Sequence, residues 1–176
     1  GSSATDVLNL LSTTAVSVSA IDTLVATGGT DVVTMLGGGT MTVSSVESLL
    51  GSSGTDIAKV LGGGTFAVSE VETVIGSASN DVVNLLATDV LTAVSAVETV
   101  LGTASGTDDA VRLIGASTIA VSLVESVVGS SGTDVLTTLS AGTMSVTGIE
   151  TVIGTGGTEV VNLMGAGTVN VSEIET

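Results

Sequence analysis

Apolar and polar residues alternate along this chain in short runs that recur every 25 residues. The segment Asp31–Thr55 shows the pattern clearly and reads DVVTMLGGGTMTVSSVESLLGSSGT. When its aspartate is counted as position 1, apolar residues concentrate at positions 2–6, 11–13 and 16–20, and Gly or Ser runs separate these stretches. Aliphatic and β-branched runs bounded by Gly and Ser predict strands. Each repeat therefore predicts three short strands joined by three turns.

Seven units of this repeat fill residues 1–176, which we treat as a single repeat array and expect to be part of a longer one. The units begin at Asp6, Asp31, Asp56, Asp81, Asp109, Asp134 and Glu159. The step from Asp81 to Asp109 is 28 residues instead of 25. The extra residues fall in Ala87–Ala93 and in Thr103–Asp108.

A short fixed period predicts a solenoid. We expect an all-β, right-handed parallel β-helix with about seven coils of ~25 residues and three strands per coil, roughly 33 Å long. A leucine-rich repeat has a similar period, but it needs an asparagine ladder, and the return segments here are Gly, Ser and Thr, which form helices poorly. A two-sided coil built from two nonapeptides has about 18 residues, which does not fit the 25-residue period.

In a stacked solenoid, equivalent positions form columns. We expect the interior to contain the apolar positions 3, 5, 13, 16 and 20, and position 4 to face outward because it holds Lys59, Arg112 and otherwise Asn or Thr. The apolar positions 2 and 6 have two interpretations. We favour side chains turned inward at corners; the alternative is an exposed aliphatic stripe that meets a lateral partner.

Acidic residues occupy two positions of the repeat. Position 1 begins every unit, in a turn rich in Gly and Ser such as Gly51–Asp56, and position 17 follows within the third apolar stretch. The position-17 acids are Asp22, Glu47, Glu72, Glu98, Glu125, Glu150 and Glu175. We expect the glutamates at position 17 to form a solvated strand face.

The turn before position 1 resembles the calcium-binding nonapeptide G-G-x-G-x-D-x-U-x of the RTX family of secreted bacterial proteins, in which U is apolar. Gly51, Gly54, Asp56 and Ala58 match its first, fourth, sixth and eighth places, whereas Ser52 replaces the second glycine. The resemblance implies calcium ligands at position 1. The candidate ligands are Asp31, Asp56, Asp81, Asp109 and Asp134. Alternatively, each aspartate accepts backbone N–H groups within its own turn as an Asx turn.

The charge of the chain limits its partners. Net charge is −16, and Lys59 and Arg112 are the only cations. Nucleic acid and anionic membranes are therefore not expected partners, because their charge could not be neutralised. No apolar run is long enough to predict membrane insertion. The sequence has no His, Cys or Tyr, and its carboxylates recur identically in every unit, so we do not expect an enzyme.

These observations favour a structural repeat segment of a secreted or cell-surface bacterial protein, such as an adhesin stalk, a surface layer or an extracellular fibre, with calcium as the one cofactor to consider. Two alternatives stay open. The chain could be a self-assembling filament subunit that stacks end to end through open coil edges. It could also bind ice or another surface through a hydroxyl row such as Thr40, Thr42 and Ser44.

Overall fold

The computed structural model describes residues 1–86, 91–104 and 108–175, and within these ranges the chain forms two parallel ten-stranded sheets and no helix. Sheet A contains β1 (Val7–Asn9), β3 (Thr23–Val25), β5 (Gly39–Ser44), β7 (Asp56–Val60), β9 (Thr73–Ile75), β11 (Leu91–Ser95), β13 (Ala110–Leu113), β15 (Ser126–Val128), β17 (Gly142–Thr147) and β19 (Glu159–Leu163). Sheet B contains β2 (Ala15–Val18), β4 (Val32–Met35), β6 (Ser48–Leu50), β8 (Gly64–Ser69), β10 (Asp81–Leu85), β12 (Thr99–Leu101), β14 (Thr118–Ser122), β16 (Val135–Thr138), β18 (Thr151–Ile153) and β20 (Asn170–Ser172).

Successive strands alternate between the two sheets, and each strand pairs in parallel with the strand two places further along the chain. Two strands therefore make one coil, and the solenoid has about 9 turns of ~17 residues. The expected parallel β-solenoid is confirmed. The expected seven coils of 25 residues with three strands each are wrong, and the two-sided coil rejected from the period has nearly the observed length.

The period and the coil differ because a repeat has three strands and a coil has two. One 25-residue repeat thus spans one and a half coils, and consecutive repeats begin on opposite sheets: β4 follows Asp31 on sheet B, whereas β7 begins at Asp56 on sheet A. Equivalent strands return to the same sheet only after two repeats, or three coils. At ~4.8 Å per strand, that separation is about 14 Å.

The core is a single row of small aliphatic layers between the sheets. Positions 3, 5, 13 and 16 point inward in most coils, as expected, and position 11 joins them, with Phe66 only 3% exposed. Position 20 does not; position 19 is inward instead. Its members are completely or almost completely buried in six repeats, namely Leu24, Leu49, Val74, Val100, Val127 and Val152.

The aliphatic residues at positions 2 and 6 lie outside the core, so the favoured inward interpretation is wrong. At position 6 the exposed fraction runs from 44% at Ile114 to 87% at Leu11. Position 2 is half-buried or exposed on the outer sheet surfaces, as at Val32 and Val82. The position-6 side chains do not form one stripe, because consecutive members lie on alternate edges and those on one edge are three coils apart.

Two further sequence expectations concern the extra residues of the fourth repeat and membrane insertion. The extra residues expected in Ala87–Ala93 and Thr103–Asp108 involve residues 87–90 and 105–107, which lie outside the described ranges. Over the residues that are described, no helix is long and apolar enough to cross a membrane.

Candidate functional site

The strand register brings each position-1 acid against the position-17 acid of the next coil. The backbone N–H of Asp56 donates to Oε2 of Glu72 at 2.7 Å, across 16 residues of chain. In the equivalent pair, the N–H groups of Glu47 and Ser48 donate back to the carbonyl oxygen of Asp31 at 3.3 and 3.1 Å. The pairs with the first of these contacts are Asp6–Asp22, Asp31–Glu47, Asp56–Glu72, Asp81–Glu98, Asp109–Glu125 and Asp134–Glu150.

The position-17 acids are therefore not merely a solvated face. Glu47, Glu72, Glu125 and Glu150 are half-buried, and each carboxylate accepts the N–H that begins the adjacent strand. A hydrogen bond to a charged acceptor is shorter and stronger than a neutral one. Sequence reasoning missed this role. The spacing between the two acids, which is 17 residues for Asp81 and Glu98 and 16 in the other repeats, is close to the coil length and was the signal that could have revealed it.

The position-1 side chains are buried rather than exposed to ligands. Asp31, Asp56, Asp109 and Asp134 are 0% exposed, and Asp81 is 3% exposed. The segment that runs from the residue at position 21 to the next position-1 acid, as in Gly51–Asp56, we call the acid turn. The carboxylate thus closes its own turn, although the donor precedes the acid and the geometry is not the expected Asx turn.

The acid turn is held by one hydroxyl residue, which lies four places before the acid in four of the turns described below and six places before it at Thr103. In Gly51–Asp56, the backbone N–H and the hydroxyl of Ser52 both donate to Oδ2 of Asp56, at 2.6 and 2.9 Å. The Ser52 hydroxyl oxygen also accepts the N–H of Gly54 at 3.1 Å. The same N–H and hydroxyl contacts recur in four other turns, between Ser77 and Asp81, Thr103 and Asp109, Ser130 and Asp134, and Thr155 and Glu159.

Position 21, which begins the acid turn, is glycine in five repeats, where the next coil passes too close for a side chain. A Cβ atom on Gly51 would lie 1.8 Å from the carbonyl oxygen of Glu70 and 3.0 Å from Oδ2 of Asp56. The same close approach exists at Gly76, Gly102, Gly129 and Gly154. The first repeat has Ala26 instead, and there Oδ2 of Asp31 has no hydrogen-bond partner. We attribute the loss to displacement of the turn by the alanine methyl group.

Four buried carboxylate oxygens have no partner among the described residues: Oδ2 of Asp31, Oδ1 of Asp56, Oδ1 of Asp109 and Oε2 of Glu159. For Asp56 and Glu159, the missing hydrogen bond is explained by the residue 17 places before the acid, in the preceding coil. The N–H of Ser117 donates to Oδ1 of Asp134 at 2.8 Å, so that carboxylate is satisfied on both oxygens. In the equivalent places, the N–H of Gly39 donates to the carbonyl oxygen of Thr55, before Asp56, and that of Gly142 to Thr158, before Glu159.

Hydrogen bonds from the turn alter the acidity of two of these carboxyl groups. The hydroxyl of Thr155 lowers the pKa of Glu159 from its ordinary value, and this effect outweighs burial, which raises it. The backbone N–H of Ser2 likewise lowers the pKa of Asp6. Both groups therefore favour the carboxylate form in the folded chain.

The five aspartates expected as calcium ligands do not stack into one ladder. Asp56 and Asp109 lie on the edge where sheet A strands begin, and the other three begin sheet B strands on the opposite edge. Neighbours on one edge are three coils apart, too far to share an ion. The fold instead places each of these aspartates next to one position-17 acid. Within the described ranges, no group of three or more His, Cys, Asp or Glu side chains could hold a metal ion.

Comparisons of the chain with family models, with curated proteins and with solved structures find no match.

Proposed function

We propose that the chain is a non-enzymatic structural solenoid, a repeat segment of a secreted or cell-surface bacterial protein such as an adhesin stalk, a surface layer or an extracellular fibre. The observation that carries the proposal is the repeated acid turn. Its carboxylate is 0 to 3% exposed at five aspartates, on both edges, and at four of them, all except Asp31, it accepts hydrogen bonds from backbone and hydroxyl groups of the turn. Groups used in this way stabilise the coil and are not available to a substrate.

The distribution of chemistry along the solenoid supports the same role. An active site differs from its surroundings, whereas these turns recur in every repeat and have similar residues and partners in most of them. The sequence also contains no His, Cys, Tyr or Trp to supply other catalytic groups. A repeated unit in which each coil contacts only its neighbours can be lengthened without redesign, which suits a stalk or a fibre.

A duplication tests the structural role. Repeating residues 31–80 inserts two repeats, and we expect three more coils, about 14 Å of added length. Small-angle scattering would measure the length, and urea unfolding would show a free energy of unfolding no lower than that of the parent. An inserted block that unfolds, or a particle that widens instead of lengthening, would contradict a modular rod.

Localisation needs a separate measurement. Antibodies raised against the folded chain should label intact, unpermeabilised cells of the bacterium that makes it. Labelling that requires permeabilisation would remove the cell-surface part of the proposal and leave the modular rod untouched.

Calcium binding is a second candidate function, favoured by the buried carboxylate oxygens without partners. A buried polar atom that lacks a hydrogen bond calls for a water molecule or an ion. Asp56 and Glu72 would hold the ion together with carbonyl oxygens of the turn Gly51–Asp56, and Asp109 with Glu125 is the second candidate pair of carboxylates. Ca²⁺ takes six to eight oxygen ligands, and its affinity rises with the number of charged ligands. A site with only two carboxylates is therefore expected to bind weakly. The residues therefore fit a weak stabilising ion.

The chain offers its own control for calcium. Asp56→Asn and Asp109→Asn alter carboxylates with an unpartnered oxygen, whereas Asp134→Asn alters one that is hydrogen-bonded on both oxygens. Calorimetric titration with CaCl₂ should show binding by the parent chain and by Asp134→Asn, and less binding by the other two. Thermal unfolding with and without a chelator would show whether the bound ion also raises the melting temperature of the same chains. No heat of binding and no chelator effect in the parent chain would remove this candidate.

A further inference from the structure

The two cations of the chain lie on the same face of the solenoid. Position 4 points outward in every repeat, and consecutive repeats alternate between sheets. Lys59 on β7 and Arg112 on β13 both belong to sheet A, and both are exposed. The equivalent residues of sheet B are Thr34, Asn84 and Thr137, all half-buried.

The outer face of sheet B carries no charged side chain in any of its ten described strands. The acids near sheet B lie elsewhere: Asp81 begins β10, but its carboxylate is buried against Ser77 in its own turn. The position-17 acids lie at the edges just before their strands, and Glu70 and Glu173 lie at the edge just after β8 and β20. The outward residues are Ala, Ser, Thr and Asn with six half-buried aliphatic side chains, which lie as three diagonal pairs on neighbouring strands and form no continuous row. These are Val32, Leu50, Val82, Leu101, Val135 and Ile153.

We propose that the outer face of sheet B binds the same face of a second copy of this chain. Two copies with a net charge of −16 each repel one another at the acidic edges. A pair of sheet A faces would bring together the cations Lys59 and Arg112. The sheet B faces can meet without placing like charges in contact, and the contact then removes their aliphatic side chains from water.

The size of the face suits a pair of copies. Ten strands at ~4.8 Å, each with about four residues at ~3.3 Å, give a face of roughly 600 Å². Two such faces would bury about 1,200 Å² in total, the lower end of the range for stable, specific interfaces. The same patch serves both copies, so the contact closes a twofold dimer and does not continue into a fibre. The dimer does not depend on the cell-surface role proposed above.

A lysine on either face tests the assignment. Asn84→Lys adds a cation at the centre of sheet B, and Asn162→Lys adds one to sheet A on β19. A lysine fits at this position of the repeat, because Lys59 occupies it on sheet A. Analytical ultracentrifugation at ~0.15 M salt should give a dimer for the parent chain and for Asn162→Lys. We expect Asn84→Lys to dimerise about 100-fold more weakly, because it desolvates two like charges.

Removal of the two cations should increase self-association. The double variant Lys59→Asn/Arg112→Asn makes the face of sheet A as free of charge as that of sheet B, so species larger than a dimer should form. Circular dichroism checks that each variant keeps its strands. The proposal is overturned by a parent chain that is monomeric up to ~100 µM, by equal effects of Asn84→Lys and Asn162→Lys, or by a double variant that associates no further than the parent.

Discussion

The backbone N–H of Asp56 donates a 2.7 Å hydrogen bond to the carboxylate of Glu72, one coil further along the solenoid. The Asp56 carboxylate itself is buried and accepts from the turn before it. The two acids therefore have different structural roles. The Asp56 carboxylate accepts hydrogen bonds within its own turn, and the Glu72 carboxylate accepts one from the neighbouring coil. This division recurs on both edges of the solenoid and is the basis of the predictions that follow.

Removal of a position-17 carboxylate should weaken the junction between two coils. Glu72→Ala leaves the N–H of Asp56 without its charged acceptor, and we expect the free energy of unfolding to fall by about 2 kcal/mol. Glu72→Gln keeps an acceptor and should cost less than half as much. Urea unfolding measures both. Glu70→Ala is the control, because Glu70 is a nearby exposed acid whose side chain is not part of the pair; an equal loss in this variant would show that general charge, not the hydrogen bond, is responsible.

Replacement of Ala26 by glycine should restore the missing hydrogen bonds in the acid turn that precedes Asp31. With the methyl group removed, Thr27 can approach Asp31 as Ser52 approaches Asp56, and the unpartnered Oδ2 gains a donor. A satisfied buried acceptor contributes about 1–3 kcal/mol, and the glycine costs about 0.5–1 kcal/mol of chain entropy. We expect a net stabilisation of about 1 kcal/mol in thermal or urea unfolding.

The reciprocal variant is Gly51→Ala, whose Cβ would meet the Glu70 carbonyl oxygen. It should destabilise the chain by at least ~2 kcal/mol. If Ala26→Gly lowers stability, or if Gly51→Ala is neutral, the close approach of the coils does not govern this position.

Position 15 has a left-handed backbone in all seven repeats, yet only Gly148 is a glycine there. The φ angles are 50–57° at Ala20, Ser45, Glu70, Ala96, Leu123 and Glu173, and 64° at Gly148. A side chain in this conformation costs about 1–2 kcal/mol. Leu123→Gly should therefore stabilise the chain by up to ~1 kcal/mol, and Gly148→Ala should destabilise it by about as much.

The control for position 15 is Leu139→Gly, which removes a similarly exposed leucine where no positive φ occurs. It should not stabilise the chain. Equal melting temperatures for Leu123→Gly and Leu139→Gly would mean that the left-handed backbone is not a source of strain here.

The acid turn of Glu159 should make stability depend on pH. Its pKa is lower in the folded chain than in the unfolded chain, mainly through the Thr155 hydroxyl. The contribution is thus present above the unfolded glutamate pKa of about 4.3 and is lost as the pH falls through the folded value. Thr155→Val removes the hydroxyl and should raise the pKa of Glu159, measured by NMR titration, and flatten the loss of stability below about pH 4. An unchanged pKa in Thr155→Val would contradict this cause.

Much of the fold follows from the local pattern of the sequence. The strands, the Gly and Ser turns and the separation of two acidic columns come from alternation and turn residues within one repeat. The coil does not, because coil length depends on how many strands close one turn, and three strands per repeat are compatible with either a three-strand or a two-strand coil. Asp31 and Asp56 look like stacked neighbours by period, yet they lie on opposite edges.

The inward position 19 shows a second limit. Strict alternation from Val46 at position 16 places positions 18 and 20 inward, but the strand itself begins at Ser48, after a turn with left-handed Ser45. The turn shifts the phase by one residue, so Leu49 is buried and Leu50 is not. Backbone conformations of this kind at non-glycine residues have no signature in the sequence. The burial of the position-1 acids was missed for a related reason. Their hydrogen-bond donors are groups of the preceding turn, and the backbone path that brings these groups to the carboxylate is not visible in the sequence.

The central claim is that a coil has two strands and that one repeat spans one and a half coils. Because the chain has no cysteine, pairs of spin labels can be introduced at chosen sites without other changes. Thr34 pairs with Leu50 on neighbouring strands of sheet B, whereas Thr34 and Lys59 lie on opposite sheets. We predict strong dipolar coupling for labels at residues 34 and 50, and a separation greater than the ~10 Å between sheets for labels at residues 34 and 59. Strong coupling between residues 34 and 59, with weak coupling between 34 and 50, would indicate a 25-residue coil and contradict the account.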